Sequence, residues 1–118
     1  MPWFKKSEVR PPNQKELTDP GLAYYYALII REGRFPEAEE VIATDAKWAY
    51  EYAKDIIKGR WLAGEDVIGE DGYFAYRYAV NVLMKRFPEG EQAIAMSLNK
   101  EYYETKFDCN LDNDLKGN

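Results

Sequence analysis

The stretch from Ala49 to Trp61, Ala-Tyr-Glu-Tyr-Ala-Lys-Asp-Ile-Ile-Lys-Gly-Arg-Trp, decides the fold, because the chain writes it three times. Ala23-Tyr24-Tyr25-Tyr26-Ala27 leads to Gly33-Arg34-Phe35, and Ala75-Tyr76-Arg77-Tyr78-Ala79 leads to Lys85-Arg86-Phe87. Matched positions lie 26 residues apart. Glu101-Tyr102-Tyr103 opens a fourth copy that breaks off near the chain end. A fixed period in this range is the signature of a repeat architecture.

Each copy reads as two helices. Asp19, Asp45, Asp71 and Ser97 share the period and suit a helix N-cap, whose side-chain oxygen accepts a backbone N–H that the first turn leaves free. A first helix, A, is expected over about 20–32, 46–58, 72–85 and 98–107. Gly33 and Gly59 stand where a left-handed residue closes a helix; Lys85 departs from that pattern. A short second helix, B, follows. Pro36 and Pro88 open it, with acids in its first turn, while the middle copy has Leu62 there. These helices of about two turns are stable only when packed. The reading is an all-α chain, a short α-solenoid of about three and a half helix-turn-helix repeats. Residues 1–18 form an N-terminal cap, 19–107 the repeat domain and 108–118 a polar, frayed tail.

Leu22, Tyr26, Ile30 and Gly33 fall on one stripe of helix A, as do Trp48, Tyr52, Ile56 and Gly59, so this face is expected to be the core between repeats. Ala23, Ala27 and their copies let a neighbouring helix come close. Phe35, Trp61 and Phe87 are expected to plug the elbow between the helices. Arg34, Arg60 and Arg86 either pair with Glu39, Glu65 and Glu91, which keep the same interval, or form an anion-binding row. Tyr24, Tyr50, Tyr76 and Tyr102 form a second tyrosine row. It lies about 200° round the helix from Tyr26 and its copies, so the two rows cannot share a face. This second row either packs against helix B or makes a binding strip on the outside, Tyr being enriched at interfaces. The candidate partner-binding residues are therefore Tyr24, Tyr50, Tyr76 and Tyr102, with Arg34, Arg60 and Arg86 as second choice.

Composition excludes much chemistry. There is no histidine, the commonest general base and metal ligand, and only one cysteine, Cys109. No phosphate-cradling glycine loop, zinc-ligand cluster or paired nucleophile occurs, so no catalytic residue, metal site or cofactor is expected. Asp108, Asn110 and Asp112 have the alternate spacing of a calcium loop but lack its glycine and its closing Glu. The net charge of -5 disfavours nucleic acid. No apolar run reaches membrane-spanning length and no signal peptide is evident, which points to the cytoplasm.

The consensus Asp-x-x-x-Ala-Tyr-x-Tyr-Ala-x-x-Ile/Val-Ile/Leu-x-Gly-Arg-Phe/Trp-Pro-Glu resembles a short tandem repeat of proteins from large tailed phages and their bacterial hosts. The resemblance covers roughly residues 19 to 107 and carries no catalytic residue. It implies a non-catalytic protein-binding module, with a host protein, including one of a defence system, as the partner to be inhibited. The alternative is a self-associating structural or assembly module. In it Leu98, Tyr102 and Tyr103, at the edge of the last repeat, pair two copies into a homodimer.

Overall fold

The computed structural model describes residues 10–116, all of whose regular elements are helical. Three copies of one unit follow each other. Asp19, Asp45 and Asp71 each cap a helix, accepting from the backbone N–H three residues on at 3.0–3.1 Å. The helices are α2 (Pro20–Tyr25), α4 (Ala46–Tyr52) and α6 (Gly72–Tyr78). Each widens into a π-helical stretch, Tyr26–Arg31, Ala53–Ile57 and Ala79–Leu83, and turns at an elbow. A short return helix follows: a 3-10 turn at Pro36–Ala38 leading to α3 (Glu39–Ile42), α5 (Leu62–Gly69), and a 3-10 turn at Pro88–Gly90 leading to α7 (Glu91–Ala95). Pro36 and Pro88 each start a 3-10 turn, whereas the proline-free middle copy is α-helical throughout.

Ahead of α2 lies α1 (Gln14–Thr18), a return helix with no A partner before it among the described residues. It packs on α2 and on Pro36–Ala38, and Asn13 and Glu16 close it with a reciprocal capping box. Helix α2 packs on α4, and α4 on α6. The molecule is drawn out to 55 × 26 × 20 Å, with a radius of gyration of 16.4 Å. A compact chain of this length would have roughly 13–14 Å. The core runs the length of the molecule. Ala23, Ala27, Ala49, Ala53, Ala75 and Ala79 are all fully buried, as are Ile42, Ile68 and Ile94. At the elbows Phe35, Trp61 and Phe87 are buried against the ring of Tyr26, Tyr52 or Tyr78 in the same unit, at centroid distances of 4.8–5.0 Å.

Several expectations need correction. The left-handed residue that ends each A helix is Glu32, Lys58 or Met84, one position before the expected glycine. The cause is the wide π turn. The N–H groups of Lys58 and Gly59 both reach back to the Ala53 carbonyl, five and six residues away, so the chain reverses hand a residue early. Ser97 caps nothing helical: its hydroxyl accepts the Asn99 N–H, and α8 (Lys100–Phe107) begins later than expected. Residues 108–116 are no frayed tail. Asp108 is left-handed like Met84, Asn110 caps α9 (Leu111–Leu115), and Leu111 is fully buried where the other units carry Phe or Trp. Asp112 and Asp114 pair with Lys100 and Arg86, each at 2.8 Å. Of the calcium-loop spacing, Asn110 is thus spent on a helix cap and Asp112 on an ion pair.

The fourth unit also explains the π segments. From the buried tyrosine to the left-handed residue the count is six in Tyr26–Glu32, Tyr52–Lys58 and Tyr78–Met84, but five in Tyr103–Asp108. Helix α8, with one residue fewer, is α-helical to its end. A π turn is one extra residue accommodated in an α-helix. The first three units therefore carry an inserted residue that the fourth lacks.

Candidate functional site

The polar side chains that repeat most faithfully are used to join the units. Tyr52 reaches back to the elbow before it. Its hydroxyl accepts the Phe35 N–H at 2.8 Å and donates to Glu39 at 2.5 Å. Tyr78 does the same to Trp61 and Glu65, and Tyr103 to Phe87 and Glu91. Each Glu is held in turn by the fork of the elbow arginine. Arg34 binds Glu39, Arg60 binds Glu65 and Arg86 binds Glu91, at 2.8–3.0 Å. At the first elbow the Tyr26 hydroxyl donates to the Arg10 carbonyl. Arg34 and, more weakly, Tyr52 hold the Glu39 carboxyl below the usual range against the cost of its burial. Burial, reinforced by the adjacent carboxylates, pushes the hydroxyls of Tyr52, Tyr78 and Tyr103 well above the ordinary tyrosine range.

The arginine row is therefore a structural ladder, as one of its two readings had it. Its guanidinium forks are filled by the chain's own carboxylates, not held open for an external anion.

The second tyrosine row is not an exposed strip. Tyr24 and Tyr50 are buried, Tyr76 is half-buried, and only Tyr102 is open, at 68%. The reason is a second inter-unit link. The Tyr24 hydroxyl donates to Asp55 at 2.6 Å, and the Tyr50 hydroxyl accepts from Asn81 at 2.9 Å, each 31 residues on. Tyr102 does not belong to the row. Tyr103 makes the bonds of Tyr52 and Tyr78, so Glu101, two residues before it, holds the row position. Tyr102 corresponds to Tyr25, Glu51 and Arg77 on the outside.

The outer face of the A helices is where the copies differ. In the middle unit it carries Lys47, Glu51, Lys54, Asp55 and Lys58; Lys54 pairs with Asp55 and Glu51. At the same positions the first unit has Gly21, Tyr25, Leu28, Ile29 and Glu32, and the third has Tyr73, Arg77, Val80, Asn81 and Met84. Tyr25 packs edge-on against Trp48 at 5.5 Å, beside Tyr24. Tyr73 packs edge-on against Phe74 at 4.8 Å, with the Arg77 guanidinium over both Tyr73 and Tyr50. Tyr25, Ile29, Tyr73 and Met84 are exposed. Leu22, read from the sequence as core, is also 39% exposed. In the other units its position is taken by Trp48 and Phe74, which the tyrosine of the preceding unit covers; α2 has no preceding A helix among the described residues. Sequence reasoning missed this surface because it looked for what the copies share.

Between neighbouring A helices run two matched grooves of about 350 and 280 Å³. Leu28, Glu32, Gly33, Asp55, Ile56 and Lys58 line the first; the residues 26 further on, Lys54, Lys58, Gly59, Asn81, Val82 and Met84, line the second. Among the described residues no cluster of His, Cys, Asp or Glu is arranged to hold a metal ion, and no helix is long and apolar enough to cross a membrane. Of the self-association edge, Leu98 and Tyr102 are exposed but Tyr103 is fully buried. Comparison with family models, curated proteins and solved structures finds no match to this chain.

Proposed function

We propose that the chain is a short α-solenoid that binds another protein through the outer face of its A helices, without catalysing a reaction. One observation carries the reading. The copies are one another's controls: a position the fold needs apolar is apolar in every copy and buried, as Ile42, Ile68 and Ile94 are. Tyr25, Ile29, Tyr73 and Met84 are apolar in one unit, exposed there, and charged or polar in another, so the fold does not account for them. Exposed aromatics over a rigid helical row suit protein recognition. The resemblance to phage and host repeats makes a host protein, defence proteins included, the first partner to try.

The test swaps residues between copies. Tyr73→Lys with Met84→Lys installs what the middle unit carries, as does Tyr25→Glu with Ile29→Asp. Co-purification from host lysate, quantified for wild type and both doubles, should show a partner that at least one double loses while its melting temperature stays within a few degrees of wild type. Equal retention by all three proteins would reject the surface.

Exposed Met96, Leu98 and Tyr102 near the C-terminal end favour a second reading, self-association there. Sedimentation of wild type against Leu98→Asp with Tyr102→Asp separates the two, since only the second reading expects a dimer that the double mutant dissolves.

A further inference from the structure

The two ends of the stack are not alike. At the C-terminal end the row position that would reach a next unit is Glu101, exposed and charged, with exposed Thr105 one turn on. Repeat stacks need such polar caps. Among the described residues the opposite end has no equivalent over its A layer. Helix α1 covers α2 on the return-helix side, but Leu22, Tyr25 and Ile29 are 39%, 50% and 56% exposed. Their spacing of three and four sets them on one stripe of a helix.

The interior junctions show what fits such an edge. At the two junctions α2–α4 and α4–α6, the predecessor's tyrosine ring lies on the Leu22-equivalent residue, Tyr24 on Trp48 at 5.3 Å and Tyr50 on Phe74 at 5.8 Å. Its hydroxyl bonds the Ile29-equivalent residue, Asp55 or Asn81. The helices run in the same direction: Tyr25 near the start of one meets Trp48 near the start of the next, and Glu32 and Gly33 at one end share a groove with Ile56 and Lys58 at the other. Ile29 replaces the polar partner, so a hydroxyl placed there would lose its bond and an apolar group would not. Exposed Glu32, at the far end of this edge, favours a cation in the last turn of whatever lies alongside. The chain's own C-terminal edge carries a cation in its last turn, Lys106, but puts the charged Glu101 at the row position, where an apolar group is needed.

We propose that the open edge of α2 takes a helix of the partner protein as an additional A helix. That helix runs parallel to α2, with an aliphatic side chain over Leu22 and Ile29 and a Lys or Arg in its last turn beside Glu32. This rests on the protein-binding reading and assigns it a place.

The probe is a lactam-bridged peptide of residues 45–58, the segment that covers the corresponding edge of α6, in two forms: unchanged, and with Tyr50→Leu. Both end in Lys58. Fluorescence anisotropy with the full chain should show saturable binding of the Leu form and about tenfold weaker binding of the Tyr form, whose hydroxyl finds no partner. In Ile29→Asp the preference should reverse, because in the interior Asp55, which stands at the Ile29 position, accepts the equivalent hydroxyl of Tyr24. Binding of neither form, or of both forms equally in both proteins, overturns the proposal. So does a concentration-dependent dimer that Ile29→Asp dissolves, which would make a second copy the occupant. Binding only after residues 1–9 are removed would assign the edge to the chain's own start and also overturn it. The wider protein-binding reading has a separate failure, since Tyr73→Lys with Met84→Lys does not touch this edge.

Discussion

Tyr78→Phe and Tyr50→Phe each delete one hydroxyl from a ring that is fully buried, yet their costs should differ severalfold. The Tyr78 hydroxyl accepts the Trp61 N–H at 3.0 Å and donates to Glu65 at 2.5 Å, and Glu65 is itself buried. Removing it strands a buried backbone donor, at about 1–3 kcal/mol, and takes a charge-assisted bond from a buried carboxylate, about 1.5–3 kcal/mol. Arg60 still holds Glu65, which tempers the second effect, so about 3 kcal/mol in total is expected. The Tyr50 hydroxyl accepts from the amide of Asn81, an exposed residue that can turn to water, with the Arg77 guanidinium alongside the ring, so about 0.5–1 kcal/mol is expected. Urea unfolding followed by circular dichroism measures both. A cycle with Glu65→Gln should give a coupling of about 1 kcal/mol or more with Tyr78→Phe and none with Tyr50→Phe. Equal losses for the two tyrosines, or a Tyr78→Phe loss under about 1 kcal/mol, would refute the assignment of Tyr78 as the clamp between units.

Other expectations follow from the same geometry. Deleting Val80 removes the inserted residue of the third π segment and restores the count seen in α8, so the variant should fold with a melting temperature a few degrees lower; deleting Arg77, which lies between Tyr76 and Tyr78, turns one of these tyrosines about 100° relative to the other and should unfold the unit. Lys58→Gly relieves a left-handed backbone costing about 1–2 kcal/mol and returns about 0.5–1 kcal/mol as chain entropy, for a net gain near 0.5–1 kcal/mol by denaturant melts. Alkali should unfold the chain cooperatively. The hydroxyl pKa of Tyr24, Tyr52, Tyr78 and Tyr103 is raised in the folded state, so their stabilisation is intact below the unfolded value of about 10 and is lost as pH rises beyond it. Tyrosinate absorbance in a pH titration should show these four ionising only with the loss of helix signal.

Much of the fold was legible because each unit repeats its reasons. The aspartate caps, the alanine rows, the elbow aromatics and the arginine–glutamate pairs could each be read at one interval, and three of the four caps and all of the pairs are formed. The failures lie where the interval slips. Tyr102 and Tyr103 are adjacent, so a strict 26-residue count picks Tyr102, although one residue has been lost and Tyr103 does the work. That slip and the missing π residue together hid Leu111, which stands 24 residues after Phe87 and so looked like part of a polar tail. The π insertion has no signature in helical periodicity, and it moved the left-handed residue off the glycines. The second tyrosine row was misjudged because its partners, Asp55 and Asn81, lie 31 residues away, an interval that neither a helix nor the repeat suggests. The outer aromatics escaped notice for a different reason: they depart from the consensus.

The central claim is that equal junctions, repeated along one axis, make this molecule, and lengthening it by one unit tests that claim most directly. A second copy of residues 46–71 inserted after Asp71 places each new tyrosine opposite its proper partner. Small-angle scattering should then show a folded monomer whose long dimension has grown by about 8–10 Å, the spacing of packed helices, from the present 55 Å. An unfolded product, or a particle that thickens without lengthening, would contradict it.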